Sequence, residues 1–327
     1  MKSSRLKSLR MLFIGVVIAL AAIWFLGPRE PAQLAIDFTQ INITSDIDAY
    51  LAEGESGFDD ITPNTEKHVI WANGVGEKTS VALVYIHGFS ASSEEIRPVP
   101  DKVAQALGAN LYFTRLRGHG RSNEAMAEAD VGQWMQDVGE ALEIGRRIAD
   151  KVIVMSTSTG GTLIAAAALD QASMQNVEGV IFISPNFGIN SPVAGLLTWP
   201  FARYWVPLIL GADRITTPRN PLHEKYWNTT YPSVALLPMA AVVEGVNRAD
   251  FSSVNIPALF YYSDNDQVVD PMRTAAFIQG WGGATSRIIV EMGVGDDEFS
   301  HLITGDIVSP RQTPIAIKAI LAWVDTL

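Results

Sequence analysis

The chain has 327 residues, no cysteine, 48% apolar residues and a formal net charge of −11 at pH 7. Five of the 24 basic residues and one of the 35 acidic residues fall in the first thirty positions, which leaves 19 against 34 and a net charge of −15 for the remainder. So acidic a body excludes a nucleic-acid footprint, and the absence of cysteine excludes disulfides and a lipoprotein anchor while leaving the compartment open.

At the N-terminus, Lys2, Arg5, Lys7 and Arg10 precede Met11 to Leu26, an apolar run without a charge, and Gly27-Pro28-Arg29-Glu30 follows. The run is short for a bilayer-spanning helix and long for a signal-peptide core. An Ala-x-Ala at Ala19 to Ala21 is enclosed within it. Residues 1–30 therefore read as an uncleaved signal anchor, a single-pass membrane helix. Basic residues before the span place the N-terminus inside and the rest of the chain outside the cytoplasm, which is the periplasm if the cell is Gram-negative. The alternative is secretion after signal cleavage. Residues 31–67, with a helix expected over Thr44 to Gly54 and acidic positions from Glu53 to Asp60, read as a tether packing onto a body at 68–327.

His68 opens an early strand, and Val81 to Ile86 forms a buried one that empties into His87-Gly88-Phe89-Ser90. The pattern predicts a helix over 93–107, closed by a capping box from Ser92 to Glu95. Strands follow near 110–114, 151–155, 179–184, 256–262 and 286–291, with helices near 131–149, 159–170, 271–280 and 311–325. Such alternation predicts the α/β class, a mostly parallel, doubly wound sheet covered on both faces. About seventy residues separate the strand near 179–184 from that near 256–262, far more than a connection needs. This insertion, about 187–255, carries Leu196, Leu197, Trp199, Phe201, Tyr204, Trp205, Leu208 and Ile209. Most such aromatics pack an insertion onto its body. Trp199, Phe201, Tyr204 and Trp205 are the candidates for a substrate-pocket wall.

The chemistry concentrates in Val152-Ile-Val-Met-Ser-Thr-Ser-Thr-Gly-Gly161, where a β-branched strand breaks into small residues and an alanine-rich helix follows. A strand, a sharp turn and a helix with serine at the apex expose a nucleophilic hydroxyl at the end of a sheet. The positions two before and two after the apex must be nearly free of side chain. For Ser158 these are Ser156 and Gly160. For the rival Ser156 the second is Ser158, which makes a poorer turn. Downstream, Ile256 to Tyr262 runs into a loop holding Asp264, Asp266 and Asp270, and Ser286 to Glu291 leads to Ser300-His301-Leu302. The Ser, Asp and His each fall just past a strand.

Those residues resemble an α/β-hydrolase of the carboxylesterase and monoacylglycerol-lipase type, over about 68–327, as does the Arg117-Gly-His-Gly-Arg-Ser122 loop followed by Trp134 and Asp137. The resemblance implies the α/β-hydrolase fold with a helical cap inserted after the sixth strand. It implies Ser158 as nucleophile, Asp266 as triad acid in its Asp-x-Val-Val setting, and His301 as base. The backbone N–H groups of Phe89 and Thr159 are implied as the oxyanion hole. Of the five histidines, His301 is the one beyond the acid strand. His87 precedes the oxyanion turn as a brace, His119 lies between two glycines, and His68 and His223 read as structural or solvated.

The expected function is a serine carboxylester hydrolase working through an acyl-serine on short- to medium-chain acyl esters. The alternatives are a peptidase or amidase of the same fold, or a non-catalytic membrane-tethered binding member. A triad of this kind needs no metal or cofactor. The sequence offers no His-x-x-x-His pair, no Gly-x-Gly-x-x-Gly and no Walker loop. A serine rather than an aspartate at the elbow argues against dehalogenase and epoxide-hydrolase chemistry. The expected partners are a small acyl ester and, through residues 1–30, a membrane.

Overall fold

The computed structural model describes the backbone of residues 2–327 and the side chains from residue 9 onward. In chain order its elements begin with α1 (Lys2–Leu26), α2 (Ile47–Glu55), β1 (His68–Ile70), β2 (Thr79–Ile86), α3 (Val99–Leu107), β3 (Asn110–Phe113), α4 (Val131–Ile148), β4 (Ala149–Thr157), α5 (Thr159–Ala168) and β5 (Val177–Ile183). An insertion follows, with α6 (Ala202–Leu210), β6 (Asp213–Ile215), α7 (Pro221–Tyr226), β7 (Thr230–Pro232) and α8 (Leu236–Asn247). The body then closes with β8 (Ala258–Tyr262), α9 (Pro271–Gly280), β9 (Thr285–Ile289) and α10 (Thr313–Val324).

Seven strands form one sheet in the order β1-β3-β2-β4-β5-β8-β9, parallel except for β1, which runs antiparallel to β3. The insertion leaves the sheet from β5, the fifth strand this chain forms, and adds a two-stranded ribbon of β6 and β7 to its helices. Because side chains alternate across a strand, the apolar runs serve both faces. Ala82, Val84, Ile86, Val154, Phe182 and Phe260 join the buried residues of α4, α5 and α8. Leu83, Tyr85, Met155, Ile181, Leu259 and Tyr261 join those of α3 and α10. Each large side chain so buried stabilises the fold by about 1.5–3 kcal/mol.

The helix expected over 93–107 is interrupted. Ser93–Ile96 is a 3-10 turn and the α-helix starts only at Val99, because Pro98 lacks the N–H that a continuous helix needs. Nor does the capping box form there. Ser92 accepts from Glu94 N, and the Glu95 side chain turns inward to the site described below. A reciprocal capping box instead opens α4, between Asp130 and Gln133.

Residues 28–67 are stitched to the body along their length. Phe201 N donates to Pro28 O, Arg203 pairs with Glu30, and Ile36 and Ile41 lie so close to Gly139 that any side chain there would collide with them. Asp46 caps α2, whose Ile47 and Leu51 are buried in the main core, and Arg115 makes a buried bidentate pair with Glu55. Within α1, Leu9–Leu26 is long and apolar enough to cross a membrane, and none of it is buried against the rest of the chain.

Candidate active site

The β-branched strand β4 ends at Thr157 and α5 begins at Thr159, so Ser158 is the single residue of the turn. Its backbone is held at φ 50°, ψ −118°, a strained conformation for a residue with a side chain. Glycine two positions on is obligatory, since a Cβ on Gly160 would lie 2.4 Å from Ile86 O and 2.6 Å from His87 O. Ser156 lies within β4 and donates to Ile181 O of the neighbouring strand at 3.1 Å. A small polar residue fits there, and its hydroxyl is committed to the sheet.

The loop after β9 carries His301 to Ser158, with Nε2 3.2 Å from the serine Oγ. On the other side of the ring, Nδ1 lies 2.7 Å from Asp266 Oδ2, in the loop after β8. The second oxygen of Asp266 accepts from Val268 N and Val269 N at 2.8 and 2.9 Å, which fixes the carboxylate. The other two aspartates of that loop stand apart. Asp264 pairs with Arg287 at the surface, and Asp270 caps α9 through Met272 N. Ser158, Asp266 and His301 are all buried. Burial disfavours the imidazolium, but the charge and hydrogen bond of Asp266, with Asp297 and Glu95 behind, outweigh it and hold the His301 pKa above the ordinary 6.5.

Among the described residues, the N–H groups of Phe89 and Thr159 find no internal acceptor. Thr159 N opens α5, where the helix dipole adds partial positive charge beside the serine. Gly88 passes so close that a Cβ on it would sit 3.2 Å from Ser158 Cβ. Beneath this loop, Glu95 accepts from Gly88 N and Tyr85 OH, both at 2.6 Å, and Tyr85 OH reaches Thr157 Oγ1 at 2.8 Å. Burial pushes the Glu95 pKa up to about 7 against the pull of these bonds.

His87 braces the same loop. Its Nε2 accepts from Leu116 N and its Nδ1 donates to Gly88 O, and burial holds it neutral. His119 packs beside it among Phe89 and Trp134, with its pKa lowered to about 4 by burial. Trp134 and Asp137 grip Arg117 at its carbonyl and N–H.

The four cap aromatics go elsewhere. On α6 Ala202 and Val206 pack against Leu197, Leu237 and Ala240, with Trp205 half-buried against the same cluster, while Tyr204, Leu208 and Ile209 are exposed. Trp199 packs edge-on to Trp24 of α1, Phe201 meets Pro28, Tyr204 is exposed beside Phe201, and Trp205 donates to Pro200 O. Trp199, Phe201 and Tyr204 thus stand at the junction of the insertion and the N-terminal segment, and Trp205 packs on the insertion's own core. The apolar residues next to the oxyanion loop are Met126, Tyr231, Ala235 and Leu236, clustered with Phe89.

Two carboxylates escaped the sequence reading, Glu95 and Asp297. Asp297 accepts from the backbone N–H groups of Phe299, His301 and Leu302 and so shapes the turn that presents the histidine. Its signal was faint: an aspartate four residues ahead of His301 in an acidic loop looks like ordinary turn chemistry.

The model of the family described as serine aminopeptidase, S33 (Hydrolase_4), matches residues 77–294. The chain belongs to this family. Among curated proteins, this α/β-hydrolase is 25% identical to the thermostable monoacylglycerol lipase of Bacillus sp. (strain H-257) over 213 residues, 65% of this chain and 81% of that one. Its fold resembles a structure of the metagenome-derived lipolytic enzymes LipS and LipT, with TM-score 0.64, 19% identity, and coverage of 82% of this chain and 100% of that one. It likewise resembles a soluble variant of monoglyceride lipase from Saccharomyces cerevisiae, with TM-score 0.59, 14% identity, and coverage of 80% and 91%. It is thus an α/β-hydrolase of the carboxylesterase and monoacylglycerol-lipase-like type.

Proposed function

We propose that the protein is a serine carboxylester hydrolase in which Ser158 is the nucleophile, His301 the base and Asp266 the acid that orients it. The single observation that carries this is the unbroken chain from Ser158 Oγ through His301 to Asp266, at 3.2 and 2.7 Å. Neutral His301 takes the serine proton as Oγ attacks the ester carbonyl. The oxyanion of the tetrahedral intermediate falls to the N–H groups of Phe89 and Thr159. Imidazolium returns the proton to the departing alkoxide, leaving an acyl-serine and a free alcohol. Water, deprotonated by the same histidine, then releases the acid and restores Ser158.

The family description names an aminopeptidase, which has to bind a substrate ammonium close to the nucleophile. The carboxylates whose charge reaches His301 are spoken for: Asp266 by its histidine, Asp297 by Arg219 and three N–H groups, and Glu95 by Tyr85 and Gly88. The monoacylglycerol lipase of Bacillus also speaks for the ester. Short- to medium-chain acyl groups are the proposed substrates, with Phe89, Tyr231 and Leu236 as their apolar contacts, each buried methylene strengthening binding by up to about 0.8 kcal/mol. α1 serves as the membrane anchor, with the catalytic domain outside the cytoplasm and residues 187–255 as its cap.

Fluorophosphonate labelling, followed by p-nitrophenyl esters of rising chain length and aminoacyl amides, tests this reading. Labelling at Ser158 with turnover rising from acetate to a medium-chain optimum is expected. Faster turnover of aminoacyl amides would move the function to peptidase, and labelling without turnover of either would leave a binding protein.

A further inference from the structure

Arg219 of the cap reaches the histidine loop. Arg219 lies between β6 and α7, and its Nη1 is 2.7 Å from Asp297 Oδ1, while its guanidinium stacks on Phe299 at 5.1 Å. The ion contact is off the hydrogen-bond line, and this buried Nη1 has no hydrogen-bond partner. The next residue, Asn220, donates from Nδ2 to Ile307 O at 2.7 Å, so two consecutive cap residues grip the segment that follows β9.

On the other side of the contact, the Asp297 side chain has no exposure at all. Its Oδ2 accepts from His301 N at 3.0 Å and Leu302 N at 2.8 Å, and its Oδ1 accepts from Phe299 N at 3.1 Å. A fully desolvated carboxylate is costly to keep ionised unless a full opposite charge stands beside it. Backbone N–H groups supply partial charges, and Arg219 is the cation at contact distance.

We propose that Arg219 is a positioning residue for His301, acting through Asp297, so that seating of the cap and placement of the general base are coupled. Resting on the reading of His301 as the base, this goes beyond the three residues of the hydrogen-bonded chain. Without Arg219 the buried carboxylate has no cation beside it and draws in water, and the turn from 297 to 302 loses the acceptor that fixes the His301 backbone. A shift of about 1 Å at a reacting group costs about 100-fold in rate. Arg219 does not touch Ser158, so the substrate meets an unchanged pocket.

The test compares wild type, Arg219→Ala, Arg219→Lys, Asp297→Asn and Ser158→Ala as full chains on one p-nitrophenyl ester, with melting temperature measured alongside. Arg219 is partly exposed, so its alanine variant is expected to fold even where Asp297→Asn does not. The expected result is a fall in kcat of about 10- to 100-fold in Arg219→Ala with KM nearly unchanged, a matching fall in the rate of fluorophosphonate labelling, and recovery of most of it in Arg219→Lys. An unchanged kcat in Arg219→Ala, or a loss confined to KM, overturns the coupling while a silent Ser158→Ala leaves the reading of the site standing. An active Ser158→Ala overturns that reading itself.

Discussion

The carboxylate of Asp266 turns one oxygen to His301 Nδ1 at 2.7 Å and the other to two successive backbone N–H groups, so it can neither rotate nor release the ring. Replacing it with asparagine would present an amide that cannot stabilise the imidazolium and that favours the wrong tautomer. Asp266→Asn is therefore expected to fold and to lose about 10³- to 10⁴-fold in kcat. Asp270→Asn keeps an equivalent helix cap, and Asp264→Asn removes only a surface ion pair, so both should hold activity within about threefold. A scan in which either proved the sensitive position would move the acid.

Ser158→Ala removes one oxygen from the apex and leaves the turn intact. Turnover should drop by about 10⁴-fold or more with the melting temperature unchanged. Ser156→Ala loses a hydrogen bond inside the sheet and should cost about 1 kcal/mol of stability with activity largely kept. Steady-state kinetics beside thermal melts of the two variants check both, and a reversed pattern would put the nucleophile at Ser156.

With His301 as the proposed base, only its neutral form accepts the serine proton, so kcat/KM is expected to rise with pH as the imidazolium titrates. Asp266, Asp297 and Glu95 hold the histidine pKa above 6.5 despite burial, which places the midpoint on the alkaline side of that value. A kcat/KM profile levelling off below pH 6 would show that the carboxylates do not govern the base.

Two buried groups bend the stability curve in opposite senses. His119, lowered to about 4, contributes stability that is present above 6.5 and lost as pH falls through 4. Glu95, raised to about 7, contributes stability that is present below 4.5 and lost as pH rises through 7. Each is worth about 3 kcal/mol across its window. Urea unfolding of Glu95→Gln from pH 4.5 to 7 should therefore show stability climbing more steeply with pH than in wild type, and an unaltered slope would mean that Glu95 does not titrate in that range.

Full-length protein is expected in the membrane fraction, released by detergent, because Leu9–Leu26 is apolar along its length and uncovered. A chain beginning at Pro28 should be soluble and active. One beginning at Ala35 gives up the Arg203–Glu30 pair and the packing of Ala32 and Leu34 at Gly245, and should melt several degrees lower. A mature N-terminus at Ala22 or Ile23 would instead show a cleaved signal.

The sheet was legible because its strands are continuous apolar runs with turn residues at both ends, and a parallel sheet buried on both faces demands such runs. Ser158 and His301 stand out in the sequence as candidates because backbone clearance restricts the neighbours of the one and chain order selects the other. Asp266 could not be separated from Asp264 and Asp270 on composition, since all three sit in polar loop and only the fold shows which one turns inward. Glu95 was read as a helix cap because its sequence position suited one, whereas Pro98 broke the helix and freed the side chain for Gly88 N. The cap aromatics misled for a related reason. Bulk suggested an inward face, but α6 buries Ala202 and Val206, keeps Trp205 half-buried against them and turns Tyr204, Leu208 and Ile209 out.

Between the last turn of α1 and the cap there is almost no spare chain: Leu26 ends the helix, Pro28 O already accepts from Phe201 N, and Trp24 rests on Trp199. With α1 as the proposed membrane anchor, a domain mounted so stiffly on it could not tumble. It would sweep the surface at one height with one face down, meeting substrates in two dimensions, and a flexible spacer inserted after Gly27 would change how often it meets an ester without altering what Ser158 does once one arrives.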